Sequence, residues 1–352
     1  MNAPPRVRVP HTVLRAGRHV SVRVDRRATI ACAAILAAAL AVSVVALGTG
    51  DYPISPDRVL RALVGLGDGP DTFIVLTLRL PRVLAALLIG AAFGAAGAIY
   101  QSLTRNPLGS PDVIGFTQGS ATGALLQILV LGGSATAIAV SSLAGCLVTV
   151  ALVYVLAYRQ GVQGYRMVLI GIGLSAMLVA VNRYLILKAN IGDAERAQVW
   201  LTGSLNGAGW EAVVPVALVL AVLLPLTLTY GGHMRMLEMG DDTARGLGVN
   251  VERSRIVLLA AATVLTAVAT SAAGPIQFVA LAAPQVARRV AGTPSVGVAS
   301  ASCMGALLLV LSDLAAQRLF APTQLPVGVM TVTVGGAYLA WLLFRERRRG
   351  RG

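Results

Sequence analysis

Apolar positions in this chain come as long unbroken runs, without the strict alternation of half-buried strands or the one-sided stripe of soluble helices. A run of about 20 apolar residues matches the hydrocarbon thickness of a bilayer at the rise of an α-helix. Ten such runs are predicted, over about residues 28–48, 79–100, 113–131, 135–157, 167–187, 210–230, 256–273, 276–291, 296–314 and 326–344. The expected fold is all-α and integral to a membrane, with ten transmembrane helices and both tails on one side. Residues 1–27 form a basic tail in which Pro4, Pro5 and Pro10 break any early helix. Residues 28–345 form the membrane domain, and 346–352 a second basic tail.

The polar intervals give the finer structure. The longest, Gly231 to Arg255, carries Glu238, Asp241, Asp242 and Glu252 against Arg235, Arg245, Arg253 and Arg255. Its punctuation predicts two short helices: Met234 to Met239 ends at Gly240, Asp241 caps a second, and Gly246 and Gly248 end it. Thr243, Ala244 and Leu247 then share a small apolar face, with Asp242 and Arg245 turned elsewhere. Such a knob fits a groove on a partner, and an ordinary solvated loop fits the same spacing. Residues 49–78 include a short surface helix over about 56–66, and 194–204 an interfacial helix with Trp200. In the third run, Gly115, Gly119 and Gly123 are spaced for close approach of a neighbouring helix.

Composition agrees with this class. The chain has 352 residues, 56% hydrophobic and 12% charged, and its mean hydropathy is +0.76. The net charge of +14 does not point to nucleic acid, because most arginines flank apolar runs or lie in the tails. They concentrate on the side that holds both tails and the Gly231–Arg255 interval, which makes that side cytoplasmic. Cys32, Cys146 and Cys303 lie singly in apolar runs, with no metal or disulfide spacing.

Three positions cut against the charge rule. Arg79 and Arg82 stand at the outer mouth of the second run, either as a docking patch for an acidic partner or as arginines snorkelling to headgroups. Arg183, next to Asn182, lies inside the fifth run, which suits a water-filled translocation path or snorkelling equally. The Ala95–Ile99 and Ala272–Ile276 stretches each follow an arginine-marked helix start. Under the ten-span topology they relate helices two to five and seven to ten as an inverted repeat.

The energy source is narrowed by elimination. Lys188 is the chain's single lysine and follows Leu185-Ile186-Leu187, so no Walker A loop is present. The acids all fall in tails, loops or span ends, which disfavours proton or sodium coupling. His11, His19 and His233 form no set with a nucleophile, so the chain is not expected to be an enzyme.

Several motifs occur in an order that resembles the FecCD family, the permeases of iron-siderophore and vitamin B12 ABC importers. They are Arg79-Leu80-Pro81-Arg82-Val83-Leu84, the run from Gln101 to Gly115, Leu237 to Ala244, Gly274-Pro275-Ile276, Ala283-Pro284 and Leu325 to Val329. The resemblance implies a BtuC-like type II importer half in the bacterial cytoplasmic membrane, with both termini in the cytoplasm. It implies two separate ABC ATPase subunits, a second permease subunit (a heterodimer favoured) and an extracytoplasmic siderophore-binding protein. No cofactor is bound by this chain, and ATP-Mg belongs to the ATPase. ATPase coupling carries over to Gly240, Asp241, Asp242, Thr243, Ala244, Arg245, Leu247 and Gly248, and binding-protein docking to Arg79, Arg82 and Arg318. Asn182 and Arg183 are the path candidates. The implied cargo is a ferric siderophore, first a catecholate of the enterobactin type, with another iron chelate, haem or cobalamin as alternatives. A secondary transporter or a membrane scaffold is the reading from another class. Two departures stand out: Gln285 replaces the family's histidine after Pro284, and Arg183 stands where a small or neutral polar residue is expected.

Overall fold

A computed structural model describes residues 11–16, 20–112, 115–157, 164–293 and 295–349. The prolines at 4, 5 and 10, the Val113 start expected for the third run, and the end of the basic tail at 350–352 lie outside the described residues. The described residues of the first tail are not featureless. They form two antiparallel strands, β1 (His11–Ala16) and β2 (Val20–Asp25), pairing His11 with Asp25 and Ala16 with Val20. Val20, Val22 and Val24 alternate with polar residues there, a period-two signal that the charge of the tail obscured.

The bundle is built from α1 (Arg26–Gly48), α2 (Pro56–Leu63), α3 (Gly69–Phe73), α4 (Leu80–Thr104), α5 (Phe116–Leu126), α6 (Ala135–Ala157), α7 (Gly164–Lys188) and α8 (Ile191–Leu201). It continues with α9 (Trp210–Thr229), α10 (Gly231–Glu238), α11 (Asp241–Gly246), α12 (Val251–Ala273), α13 (Val279–Ala291), α14 (Val298–Arg318) and α15 (Val327–Arg349). A π-helical stretch, Ile74–Arg79, fuses α3 to α4, so the second apolar helix begins at Gly69, ahead of the expected Arg79.

Seven helices among the described residues are long and apolar enough to cross a membrane. The other three predicted runs fold as shorter helices: Phe116–Leu131, Val279–Ala291, and the apolar part of α15, Val327–Tyr338. The count of ten full-length spans is therefore not met by length alone. Two of these helices start late because the backbone ahead of them is broken, at Gly115 (φ 90°) and at Phe278 (φ 69°). Irregular backbone at membrane depth needs partners inside the protein, and it has them. Ala280 packs on Gly97, well along α4, the Phe278 N–H donates to the Asp112 carboxylate, and Ser204 N–H donates to Ala273 O at 2.8 Å.

The core is α4 wrapped by α14, α12, α13 and α9. A Cβ on Gly90 would run into the Gly305 carbonyl, and one on Gly94 into that of Ala301, so the backbones of α4 and α14 touch. Gly119 and Gly123 do the same for α5 against α6 at Gly145 and Ser141, as their spacing predicts, whereas Gly115 meets α7. At the other extreme, 11% of the spanning window of α7 is buried in its own chain, against 78% for the helix containing α4.

Boundaries set by capping differ from those set by hydropathy. Asn190 accepts the Asp193 N–H and starts α8 at Ile191, earlier than expected. Asn250 accepts the Arg253 N–H and starts α12 at Val251, so Glu252, Arg253 and Arg255 are helical and not part of a loop. α14 runs on to Arg318, past the expected end at 314, so Asp313 and Arg318 lie on one helix.

Candidate functional site

Two polar sites lie at opposite ends of the bundle. At one end, α10 and α11 are separated by Gly240 at φ 116°, and α11 is followed by Gly248 at φ 84°, conformations that favour glycine. The six-residue α11 has one buried apolar residue, Ala244. The apolar face expected to seat in a partner therefore divides. Ala244 packs into its own chain, while Thr243 and Leu247 are exposed along with Met239, Asp242, Arg245, Gly246 and Gly248.

Asp241 also turns inward. Its carboxylate accepts from both Arg255 Nη2 (3.0 and 2.9 Å) and Arg105 Nη2, in a short ion pair. Arg105 is the left-handed cap of α4 and donates from Nε to Leu237 O of α10 at 2.9 Å. Arg255 is 7% exposed and reaches Glu252 at 3.9 Å. Asp242 instead pairs with Arg245 at 3.1 Å on the open side of α11. Arg105 lies inside the Gln101–Gly115 motif, but nothing in the sequence ties it to Asp241.

Beside this clamp, burial raises the Glu238 carboxyl above its ordinary pKa. Gln285, the residue after Pro284, is held in an amide network. It donates to Gln101 Oε1 (2.6 Å) and Pro107 O (3.3 Å) and accepts from Arg288 (3.2 Å). Gln101, near the end of α4, in turn donates to Leu281 O at 3.0 Å, tying α4 to α13.

At the opposite end, Arg79, Arg82 and Arg318 line one cavity of about 300 Å³ together with Asp51 and Tyr52. Spread over more than two hundred positions of sequence, the three are brought together by the α4–α14 contact. Two are already engaged. Arg79 donates to Leu47 O (2.7 Å) and Tyr52 O (2.6 Å), pinning the segment after α1. Arg82 forks onto Asp313, with Nη2–Oδ1 at 2.8 Å and Nε–Oδ2 at 3.0 Å, and reaches Gln324 at 3.2 Å. The Arg82 side chain is 14% exposed and that of Asp313 2%, so this pair belongs to the interior. Arg318 is half-buried and forms no ion pair among the described residues, and its Nε is buried without a hydrogen-bond partner among them.

The two path candidates separate. Asn182 is buried and accepts from Thr122 of α5 at 2.8 Å, whereas Arg183 lies on the outward face of α7 and forms no ion pair among the described residues. No group of three His, Cys, Asp or Glu among the described residues is placed to hold a metal ion. What the two ends can do is electrostatic and mechanical: present cations, and hold a short helix on a charged pivot.

Comparison with known proteins agrees with this architecture. The ferric enterobactin transport system permease protein FepG of Escherichia coli K12 is 48% identical over 328 residues, covering 93% of this chain and 99% of that protein. The Fe(3+)-citrate import system permease protein YfmE of Bacillus subtilis 168 is 35% identical, covering 94% and 99%. A metal-chelate type ABC transporter solved in an inward-facing conformation superposes with a TM-score of 0.79 at 24% identity, over 90% of this chain and 99% of that one, which establishes the fold. The model of the FecCD transport family matches residues 27–345, so this multi-pass membrane chain belongs to the FecCD transport family.

Proposed function

We propose that this chain is the permease subunit of an ATP-driven importer of a ferric siderophore in the bacterial cytoplasmic membrane, with both termini in the cytoplasm. The observation that carries the reading is the α10–α11 segment. A short helix bounded by two positive-φ glycines offers Asp242, Thr243, Arg245 and Leu247 outward, with Met239 exposed just ahead of it, from a chain with no nucleotide-hydrolysing loop of its own. Two ABC ATPase subunits supply the energy by closing on ATP-Mg. One docks on this face, the other on that of a second permease subunit, in a heterodimer. At the other end, acidic residues of an extracytoplasmic siderophore-binding protein meet the arginine cavity, with the half-buried Arg318 as the cation they reach and Arg79 and Arg82 shaping its wall. The cargo we favour is a ferric catecholate, in line with the 48% identical relative; the citrate-importing relative at 35% makes ferric citrate the competing cargo.

Reconstitution tests both levels. Proteoliposomes holding the complete complex are expected to accumulate a ferric tricatecholate only with ATP inside and binding protein outside, and ferric citrate at a background rate. Uptake by this chain without an ATPase subunit would make it a secondary carrier and end the proposal.

A further inference from the structure

The clamp at the α11 end suggests how motion leaves that helix. α11 is joined to its neighbours through glycines at φ 116° and 84°, so the flanking backbone swivels more readily than ordinary residues allow. Two of its side chains face the bundle: Ala244, buried, and Asp241, half-buried. Ala244 makes only van der Waals contact, which resists approach steeply and separation weakly. Asp241 differs because each guanidinium bond to it is charge-assisted, roughly twice as strong as a neutral one, and directional.

Its two partners belong to different helices. Arg255 sits in the second turn of α12, with Nη2 3.0 and 2.9 Å from the two carboxylate oxygens. Arg105 ends α4 and simultaneously holds Leu237 O of α10. α4 and α12 are the most buried of the seven spanning helices and are linked deeper in by Tyr100 and Thr263 at 3.2 Å. A force applied to Asp241 therefore acts on the free ends of the two central helices, where leverage on their tilt is greatest.

Resting on the reading of α11 as the ATPase-docking helix, we propose that Asp241 is a positioning residue: the joint between Arg105 and Arg255 through which displacement of α11 pulls, as well as pushes, α4 and α12. Docking and transmission are then divided between two faces of one short helix, Leu247 and Asp242 outward and Asp241 inward.

The test uses the complete complex in proteoliposomes and reads the ratio of ligand transported to ATP hydrolysed, together with copurification of the ATPase. Asp241→Asn keeps the shape and removes the charge. The ATPase is expected to stay bound and active while the ratio falls by about tenfold or more, the range of a site-to-site coupling free energy. Arg105→Gln, at the more exposed of the two pairs, is expected to lower the ratio in the same direction, and Arg105→Lys to restore part of it. A ratio unchanged in both Asp241→Asn and Arg105→Gln overturns the proposal. So does loss of ATPase binding with the ratio preserved in the complexes that remain, since Asp241 would then only shape the docking face. Leu247→Asp separates this from the underlying reading. If that variant keeps full ATPase binding and uptake, α11 is not the docking helix; if it releases the ATPase while Asp241→Asn behaves like the parent, the joint alone fails.

Discussion

At the scale of single residues, the charges that stood out in the sequence divide into those used for the fold and those left to meet something else. Arg82 is the clearest case of the first kind. Its forked bond to Asp313, itself supported by Gln317 Nε2 at 2.7 Å, is almost fully buried. Removing one member of such a pair leaves an uncompensated buried charge, which costs about 3–5 kcal/mol. Arg82→Ala is therefore expected to lower the thermal stability of the detergent-solubilised chain substantially, and Arg82→Ala with Asp313→Ala to recover most of the loss. Equal stability of Arg82→Ala and parent would return Arg82 to the docking surface. Arg318 lines the same cavity and forms no such pair among the described residues. That difference was invisible in sequence, because Arg82 and Asp313 meet only through the packing of α4 on α14. The Arg-x-x-Arg motif showed which residues to watch without showing which was spoken for.

At the scale of elements, glycine patterns decide which helices can touch. Gly94 meets the Ala301 carbonyl of α14 with no room for a Cβ, whereas Gly173 on α7 has nothing within 4 Å. Gly94→Val is expected to destabilise the chain by about 3 kcal/mol or more, at the upper end of overpacking costs. Gly173→Val should leave the isolated chain close to parent stability, and thermal unfolding of the two variants in detergent decides it; similar losses would mean that helix propensity, not contact, sets the cost. Much of this level was legible. α6 follows its predicted run at both ends, α1 and α9 lie within two residues of theirs, and the α10–Gly240–α11 break falls where the punctuation put it. The misses have physical causes. Hydropathy cannot see that Asn250 and Asn190 satisfy helix-start N–H groups and so extend α12 and α8 toward their N-termini. Nor can it see that Gly115 and Phe278 adopt positive φ, which turns two expected spans into late-starting short helices. Cap chemistry and special backbone conformations act over one or two residues, and a window of membrane length averages them away.

At the scale of the whole molecule, what is most informative is what the chain leaves uncovered. α7 exposes Ile172, Gly173, Ala176, Met177, Ala180 and Arg183 on its outward side. An arginine facing lipid at depth costs about 2.5–3.5 kcal/mol even on the mildest scale, and such residues are normally directed at protein or water. Gly173, Ala176 and Ala180 are small enough to admit a neighbouring helix closely, and Arg183 follows them by one turn at the end of α7 nearest Lys188. We infer that this face is shared between a second permease subunit and the path between the two, with Arg183 at its mouth as an attractor for anionic chelates. A ferric tricatecholate carries several negative charges, so a cation there raises its local concentration in a way that salt screens. Arg183→Ala is accordingly expected to lower uptake of the tricatecholate at low ionic strength, to narrow that difference as salt is added, and to leave thermal stability unchanged. Uptake equal to the parent at every salt concentration would make Arg183 a headgroup-snorkelling residue, and the entry path would then have to be sought on another face.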